Sequence, residues 1–139
     1  TIIDRTTTDQ EVKVNPVLKR EDVLGMQKLV RRVPVARHVQ DFAIRLVLAT
    51  HPDHAEATDL VKRFVRTGAS PRGVQAILLG AKIRALFAGR FAASIDDVRA
   101  TALPALRHRI LRSFEGEAEG VAEDKIIDEI LKKLPESKG

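Results

Sequence analysis

The sequence predicts an all-α fold, a small bundle of about five helices. Apolar residues recur at helical spacing in several separate segments, and no segment has the pattern of paired strands. Composition agrees, since 44% of the 139 residues are hydrophobic and no apolar run approaches the roughly 20 residues of a membrane helix. We therefore expect one soluble globular domain that does not enter a membrane.

The first 18 residues are polar and rich in threonine, and Pro16 biases the residue before it away from helix. We expect an extended linker over residues 1–18, followed by a helical domain over residues 19–139. The first helix of that domain begins near Glu21 and is stopped by Pro34. Its apolar residues at helical spacing are Val23, Met26, Val30 and Val33.

The second helix has the most regular apolar face in the sequence. His51-Pro52-Asp53-His54 ends it, and the stretch up to Gly68 mixes charged and apolar residues without a sustained period. That stretch is predicted to be a loop that includes one turn or a short strand. The apolar positions of the second helix follow the pattern i, i+3, i+4, i+7, i+8: Val39, Phe42, Ala43, Leu46 and Val47.

Ser70-Pro71 predicts the start of a central helix, because serine caps free backbone N–H groups and proline suits the first helical position. This helix runs to about Ala88, with Gly89 as its stop. It has an apolar band wider than one neighbouring helix requires, so we expect it to lie at the centre of the bundle.

Ser94-Ile95-Asp96-Asp97 resembles a capping box and predicts the start of the next helix. Pro104 is expected to interrupt or kink it, with apolar spacing continuing to Leu111. Gly116 and Gly120 bracket a predicted acidic linker. A final helix carries Ile126, Ile127, Ile130, Leu131 and Leu134.

Charge is distributed unevenly along the chain. Residues 1–114 carry 20 basic and 11 acidic side chains, whereas residues 115–139 carry 4 and 8. The basic part would attract nucleic acid or an acidic partner, and the acidic part would weaken that attraction. An alternative function is therefore a stand-alone basic helical module that binds nucleic acid or an acidic protein around Arg31-Arg32, Arg107 and Arg109.

Several kinds of chemistry are disfavoured by what the sequence lacks. The chain has no cysteine, which excludes disulfides, thiolate zinc sites and a cysteine nucleophile and favours a reducing cytoplasm. The motifs G-x-x-x-x-G-K-[ST], G-x-G-x-x-G, H-E-x-x-H and G-x-S-x-G do not occur, so an independent enzyme is disfavoured. With neither an initiator Met nor a signal peptide at Thr1, we expect an excised piece of a longer protein.

Two clusters could bind ligands but have simpler explanations. His51 and His54 have a spacing that could chelate a metal, yet Pro52 lies between them and no cysteine completes a ligand set, so we predict a solvated loop and no metal site. Arg107-His108-Arg109 could grip a phosphate or carboxylate. Solvation, or pairing with acids such as Asp96 and Asp97, is the favoured interpretation.

Arg72 is the most informative side chain. It lies in the first turn of the central helix, where a cation opposes the helix dipole by roughly 0.3–1 kcal/mol. Together with the free N–H groups of that helix end, an arginine there would suit a phosphate. The alternative is an exposed arginine without a role.

The hexamer Gly68-Ala69-Ser70-Pro71-Arg72-Gly73 resembles the G-A-S-P-R segment of MoxR-type AAA+ ATPases, relatives of the magnesium chelatase ATPase subunit. Ala36-Arg37 departs from the family, in which Ser or Asp often caps the second helix. The similarity covers nearly the whole chain. Further matching segments are Arg5-Thr6-Thr7, Pro16-Val17-Leu18, Val33-Pro34-Val35, residues 60–66, Leu106-Arg107-His108-Arg109 and Glu117-Ala118-Glu119-Gly120-Val121.

The resemblance implies the C-terminal helical lid of such an ATPase, with the nucleotide-binding core outside this sequence. It implies that Arg72 is the sensor-2 arginine, which reaches the γ-phosphate of ATP bound to the core, with Ser70 as a second candidate on the phosphate side. ATP and Mg2+ are expected in the full-length protein, and neither tight ATP binding nor hydrolysis by this chain alone.

The resemblance also implies partners. These are the chain's own AAA+ core, neighbouring subunits of a hexameric ring and von Willebrand factor A domain proteins. The implied role is chaperone-like maturation or assembly of partner complexes in the cytoplasm.

Overall fold

The computed structural model describes residues 2–7 and 15–136 of the chain. Helices dominate these residues, and one small two-stranded sheet accompanies them. The elements are α1 (Ile2–Thr7), α2 (Arg20–Arg32), α3 (Arg37–Leu48), α4 (Asp59–Phe64), β1 (Val65–Thr67), α5 (Pro71–Phe87), α6 (Ile95–Leu106), β2 (Leu111–Arg112), α7 (Phe114–Ala118) and α8 (Glu123–Lys133).

Helix α5 lies at the centre of the bundle, as predicted, and packs against α2, α3 and α6. The all-α prediction is confirmed. Helix α6 also packs against α8, which closes the other side of the core. The fully buried side chains come from all of these helices except α2, and they include Phe42, Leu46, Ile77, Val98 and Ile126.

The contact between α5 and α6 is close because α5 has glycine where the two helices meet. A Cβ atom on Gly80 would lie 2.9 Å from Thr101 Cγ2, and one on Gly73 would lie 3.1 Å from Leu106 Cδ2. The missing side chains let the two helix backbones approach each other, and this fixes α5 in the bundle.

The long predicted helices are confirmed. All five apolar positions of the α3 stripe are buried. Helix α5 begins at Pro71 and ends at Phe87, and Gly89 follows it with φ of +68°. That left-handed conformation is one that glycine adopts without strain, so Gly89 ends the helix as predicted.

The capping box at the start of α6 is present. Ser94 Oγ accepts from the Asp97 N–H at 3.4 Å, and the Asp97 carboxylate accepts from the Ser94 N–H at 3.0 Å. Arg90 donates to both carboxylate oxygens, at 2.7 and 2.6 Å. These bonds from Arg90, together with those from Ser94, lower the pKa of Asp97 from 3.8 to about 2.

Two short helices occupy segments predicted to be a loop and an acidic linker. Both are capped by a hydroxyl: Thr58 Oγ1 accepts from the Val61 N–H at 3.3 Å, and Ser113 Oγ accepts from the Gly116 N–H at 3.2 Å. These caps stabilise α4 and α7. The stretch up to Gly68 contains the short helix α4, which is longer than the predicted turn, and the short strand β1, which confirms that part of the prediction. The linker prediction was wrong over α7.

The prediction that no strands pair was also wrong. Strand β1 pairs antiparallel with β2, with Val65 opposite Arg112. Helix α6 therefore ends at Leu106 and does not continue to Leu111. Pro104 lies inside α6 without interrupting it, and the helix ends two residues later at Leu106.

The prediction of an extended linker fails over Ile2–Thr7, which is helical. Residues 8–14 of that predicted linker lie outside the described residues. Residues 15–19 have no regular secondary structure. The domain boundary after residue 18 stays a prediction.

The uneven charge distribution has a structural counterpart, because the acidic C-terminal part pairs with the basic part. Arg63 Nη2 lies 2.6 Å from a carboxylate oxygen of Glu115 and 2.6 Å from one of Glu119. Arg112 Nε lies 2.9 Å from Glu123. These pairs connect residues 115–124 to the rest of the bundle, although ion pairs near the surface add little stability.

The end of α8 is fastened to the core by arginines. Arg45, which is 8% exposed, forms an ion pair with Glu56 and donates from Nη1 to the Pro135 carbonyl oxygen at 3.0 Å. Arg99 donates to the Leu131 carbonyl oxygen at 2.7 Å.

Across residues 2–7 and 15–136, none of the helices is long and apolar enough to cross a bilayer.

Candidate functional site

The N-terminus of α5 presents the predicted site residues. Ser70 is the N-cap residue, with extended backbone (φ −71°, ψ 170°), and Pro71 and Arg72 form the start of the first turn. The Ser70 side chain makes no capping hydrogen bond, unlike the prediction. The Gly73 N–H, which a capping serine would bind, donates to the Ser70 backbone carbonyl at 2.7 Å.

Arg72 is exposed in the first turn of α5, and that turn contains no acidic residue. Within the described part of the chain, no hydrogen bond, ion pair or ring contact involves its side chain. A cation next to the positive end of the helix dipole therefore has no neutralising partner there. An anion placed at this helix end could be bound by both the guanidinium and the free N–H groups.

The segment before Ser70 is held by the end of α3. Thr50 Oγ1 accepts from the Ala69 N–H at 2.9 Å, and His51 Nε2 lies 3.0 Å from the Ala69 carbonyl oxygen. Thr50 and Ala69 are fully buried. The sequence analysis did not single out Thr50 and weighed His51 only as a metal ligand, because the spacing of residues in a sequence does not indicate a contact 18 or 19 positions away.

An open apolar cleft of about 350 Å³ borders the same helix end. The C-terminal half of α3 forms one wall and the first turns of α5 form the other. The sequence analysis did not predict it. Its lining residues are Ile44, Val47, Leu48, His51, Ala69, Pro71, Val74 and Gln75.

The two histidines considered as metal ligands both make hydrogen bonds with backbone groups. His51 contacts Ala69, and His54 Nδ1 accepts from the Glu56 N–H at 3.2 Å. No cluster of three or more potential metal ligands is found among the residues that the structure describes.

Arg107-His108-Arg109 follows the C-terminal end of α6. Arg107 Nη2 lies 2.8 Å from an Asp124 carboxylate oxygen. Arg109 donates to the Ala105 carbonyl oxygen at 2.6 Å and also contacts His108. The suggested pairing with Asp96 and Asp97 was wrong, because those acids begin α6 and the cluster lies beyond its other end, about 15 Å away.

The chain is similar to a known protein family and to a solved structure. The sequence pattern of the AAA lid domain family matches residues 57–130, which include the α5 N-terminus. A crystal structure of a candidate ATPase from Cytophaga hutchinsonii is similar to the chain, with a TM-score of 0.84 and 26% sequence identity. The match covers 99% of this chain and 42% of that one.

Two curated proteins also match. Chaperone MoxR1 of Mycobacterium tuberculosis is 28% identical over 118 residues, which are 85% of this chain and 31% of that protein. The uncharacterised protein YeaC of Bacillus subtilis is 28% identical over 120 residues, or 85% of this chain and 34% of that protein. The chain thus spans about a third of the length of these two relatives.

Proposed function

The chain belongs to the AAA lid domain family and resembles the lid of MoxR-type AAA+ ATPases; on this premise we propose that Arg72 is a sensor-2 arginine. In the complete ATPase it contacts the γ-phosphate of ATP held by the nucleotide-binding core, and Ser70 lies on the phosphate side. The observation that carries this proposal is the exposed guanidinium without a partner at the α5 N-terminus.

The chemistry suits this role. Negative charge spreads over the phosphoryl oxygens during transfer, and a positioned arginine stabilises it. Arg72 supplies positive charge from a helix end whose N–H groups also favour an anion. On this proposal ATP and Mg2+ bind the full-length protein, and the lid adds one contact to them.

The lid can report nucleotide state because α5 is fixed in a packed bundle. Close contact at Gly80 and Thr101 ties α5 to α6, so a force on Arg72 is transmitted to the bundle as a whole. We propose that this movement couples ATP hydrolysis to chaperone-like maturation or assembly of partner complexes in the cytoplasm, where ATP is supplied. The name of chaperone MoxR1 supports this part of the proposal.

The partner surface of the proposed ring includes α2. This helix has no buried residue, and four of its apolar side chains are 43–53% exposed: Val23, Leu24, Met26 and Leu29. We propose that the core of the same chain or a neighbouring subunit of a hexameric ring covers this face. Von Willebrand factor A domain proteins are proposed as further partners.

The test is Arg72→Ala in the complete ATPase. We expect ATP turnover to fall roughly 10²-fold, the loss typical of removing one transition-state donor. Arg66→Ala is the matched control, since Arg66 is also exposed and lies six residues earlier. Unchanged turnover in the Arg72 variant, with folding verified by circular dichroism, would refute the sensor role.

The alternative of a nucleic-acid-binding or acidic-protein-binding module stays a hypothesis. It predicts binding to a DNA duplex that weakens steeply with salt. Arg63, Arg107 and Arg112, three cations of the basic part, already pair with acids of residues 115–124. Lack of duplex binding at low salt would eliminate the nucleic-acid form of this alternative.

A further inference from the structure

We infer that Thr50 and His51 are positioning residues that hold the α5 N-terminus, and so Arg72, in place. This inference rests on the proposed function of Arg72. Neither residue touches the proposed phosphate site, and both act through the backbone of Ala69. Only two residues, Ser70 and Pro71, separate Ala69 from Arg72 along the chain.

Thr50 connects the end of α3 to this segment. Its Oγ1 donates to the Val47 carbonyl oxygen at 2.6 Å and accepts from the Ala69 N–H at 2.9 Å. The hydroxyl has one hydrogen, so the donated bond fixes its rotamer and aims its lone pairs. Thr50 is fully buried, where water cannot replace either bond.

His51 binds the backbone carbonyl group of Ala69, whose N–H is bound by Thr50. A carbonyl oxygen can only accept, so the contact of 3.0 Å with the Ala69 oxygen requires the imidazole proton on Nε2. Both backbone groups of Ala69 are therefore bound by two consecutive side chains. Two such bonds fix the orientation of the peptide units as well as their position.

Gly68 lets the segment before α5 lie close to Thr50 and His51. A Cβ atom there would lie 2.6 Å from Thr50 Oγ1, 2.7 Å from the Thr50 carbonyl oxygen and 2.8 Å from His51 Cδ2. Only glycine lets the segment lie this close to the end of α3. After it, Pro71 restricts φ at the first helical position, so few rotatable bonds remain between Ala69 and Arg72.

The decisive experiment uses Thr50→Val in the complete ATPase, alone and combined with Arg72→Ala. Valine keeps the shape of threonine but removes the hydroxyl. We expect kcat for ATP hydrolysis to fall roughly 10-fold with little change in KM, because a misplaced contact weakens transition-state stabilisation. Thr50→Ser, which keeps the hydroxyl, should have a kcat close to that of the native enzyme. In the Arg72→Ala background, Thr50→Val should cause no further loss.

Thr58→Val is the matched control. Thr58 is buried and its Oγ1 also accepts from a backbone N–H, that of Val61 at 3.3 Å, but it caps α4, which packs against α7, α8 and β1. A general loss of stability would affect both variants in the same way. Only Thr50→Val should lower kcat in a manner that depends on Arg72.

The outcomes separate the inference from the proposed function. Reduced turnover with Arg72→Ala and normal turnover with Thr50→Val would overturn the inference alone, as would equal losses from Thr50→Val with and without Arg72. Normal turnover with Arg72→Ala would overturn both. If Thr50→Val does not fold, His51→Ala gives the same test at a half-buried position, with His51→Gln as the variant that keeps a donor.

Discussion

Helices α2 and α3 follow each other in the chain, and both are amphipathic, yet only one is buried. Helix α3 buries six residues, whereas α2 buries none. The apolar face of α3 meets α5 and α6, while that of α2 is only partly covered by α5. Helical periodicity thus predicts that a face is apolar, but it does not say whether the partner belongs to the same part of the chain.

The largest expected difference between the two helices concerns their apolar side chains. Phe42→Ala on α3 removes a fully buried ring and should lower the free energy of unfolding by about 3–5 kcal/mol. Met26→Ala on α2, where the side chain is 53% exposed, should cost less than about 1 kcal/mol. Urea unfolding of the 139-residue chain, followed by circular dichroism, measures both. Equal losses would mean that α2 is covered, for instance by self-association.

A smaller difference concerns two aspartates at the same helical position. Asp97 is the third residue of α6 and buried, whereas Asp22 is the third residue of α2 and exposed, accepting from the Lys19 N–H at 2.9 Å. Asp97→Asn should lower stability at neutral pH by about 2 kcal/mol. Asp22→Asn should lower it by only about 0.5 kcal/mol.

The pH dependence of stability tests whether the ionised form of Asp97 stabilises the fold. Its pKa is about 2 in the folded chain against an ordinary value of 3.8. Above pH 3.8 the ionised Asp97 therefore adds its full contribution to the free energy of unfolding, and this contribution is lost as the pH falls toward 2. Unfolding measured at pH 7 and at steps below pH 4 should show this loss in the native sequence and a shallower one in Asp97→Asn. If the stability of Asp97→Asn fell as steeply with pH as that of the native sequence, the loss would come from groups other than Asp97.

The smallest expected difference comes from glycines within helices. A Cβ on Gly25 of α2 would meet nothing within 4 Å, so Gly25→Ala should stabilise the chain by roughly 0.5–1 kcal/mol. Gly80→Ala on α5 should destabilise it by about 1 kcal/mol, because its Cβ would lie 2.9 Å from the β-branched Thr101. Thermal unfolding should give shifts of opposite direction. Shifts of the same direction would contradict the difference in packing.

Much of the fold could be predicted because long helices repeat their pattern. The 12 residues of α3 give five apolar positions in register, and the resemblance to MoxR-type lids, confirmed by the relatives, rests on segments across the chain. Helices α4 and α7, with 6 and 5 residues, are too short to show a period. Their capping residues, Thr58 and Ser113, were the available signals.

The position of the candidate site could be predicted from the sequence, but not the contacts that hold it, for a related reason. Ser70-Pro71 marks a helix start through local chemistry, and Arg72 follows from its position in the first turn. The bonds from Thr50 and His51 to Ala69 join residues 18 and 19 positions apart. The same limit applies to the pairing of β1 with β2, because local propensities do not encode such distant contacts.

Helix α5 is long enough that a small rotation of the bundle would move its far end by several ångströms. Its 17 residues span about 25 Å, with Arg72 at one end and Phe87 at the other. If the whole bundle rotated by about 10° around the Arg72 end of α5, the far end of the helix would move by about 4 Å. Phe87 and Phe91, 89% and 92% exposed, lie in that region of largest displacement. A spectroscopic probe there would magnify a movement that is too small to see beside Arg72.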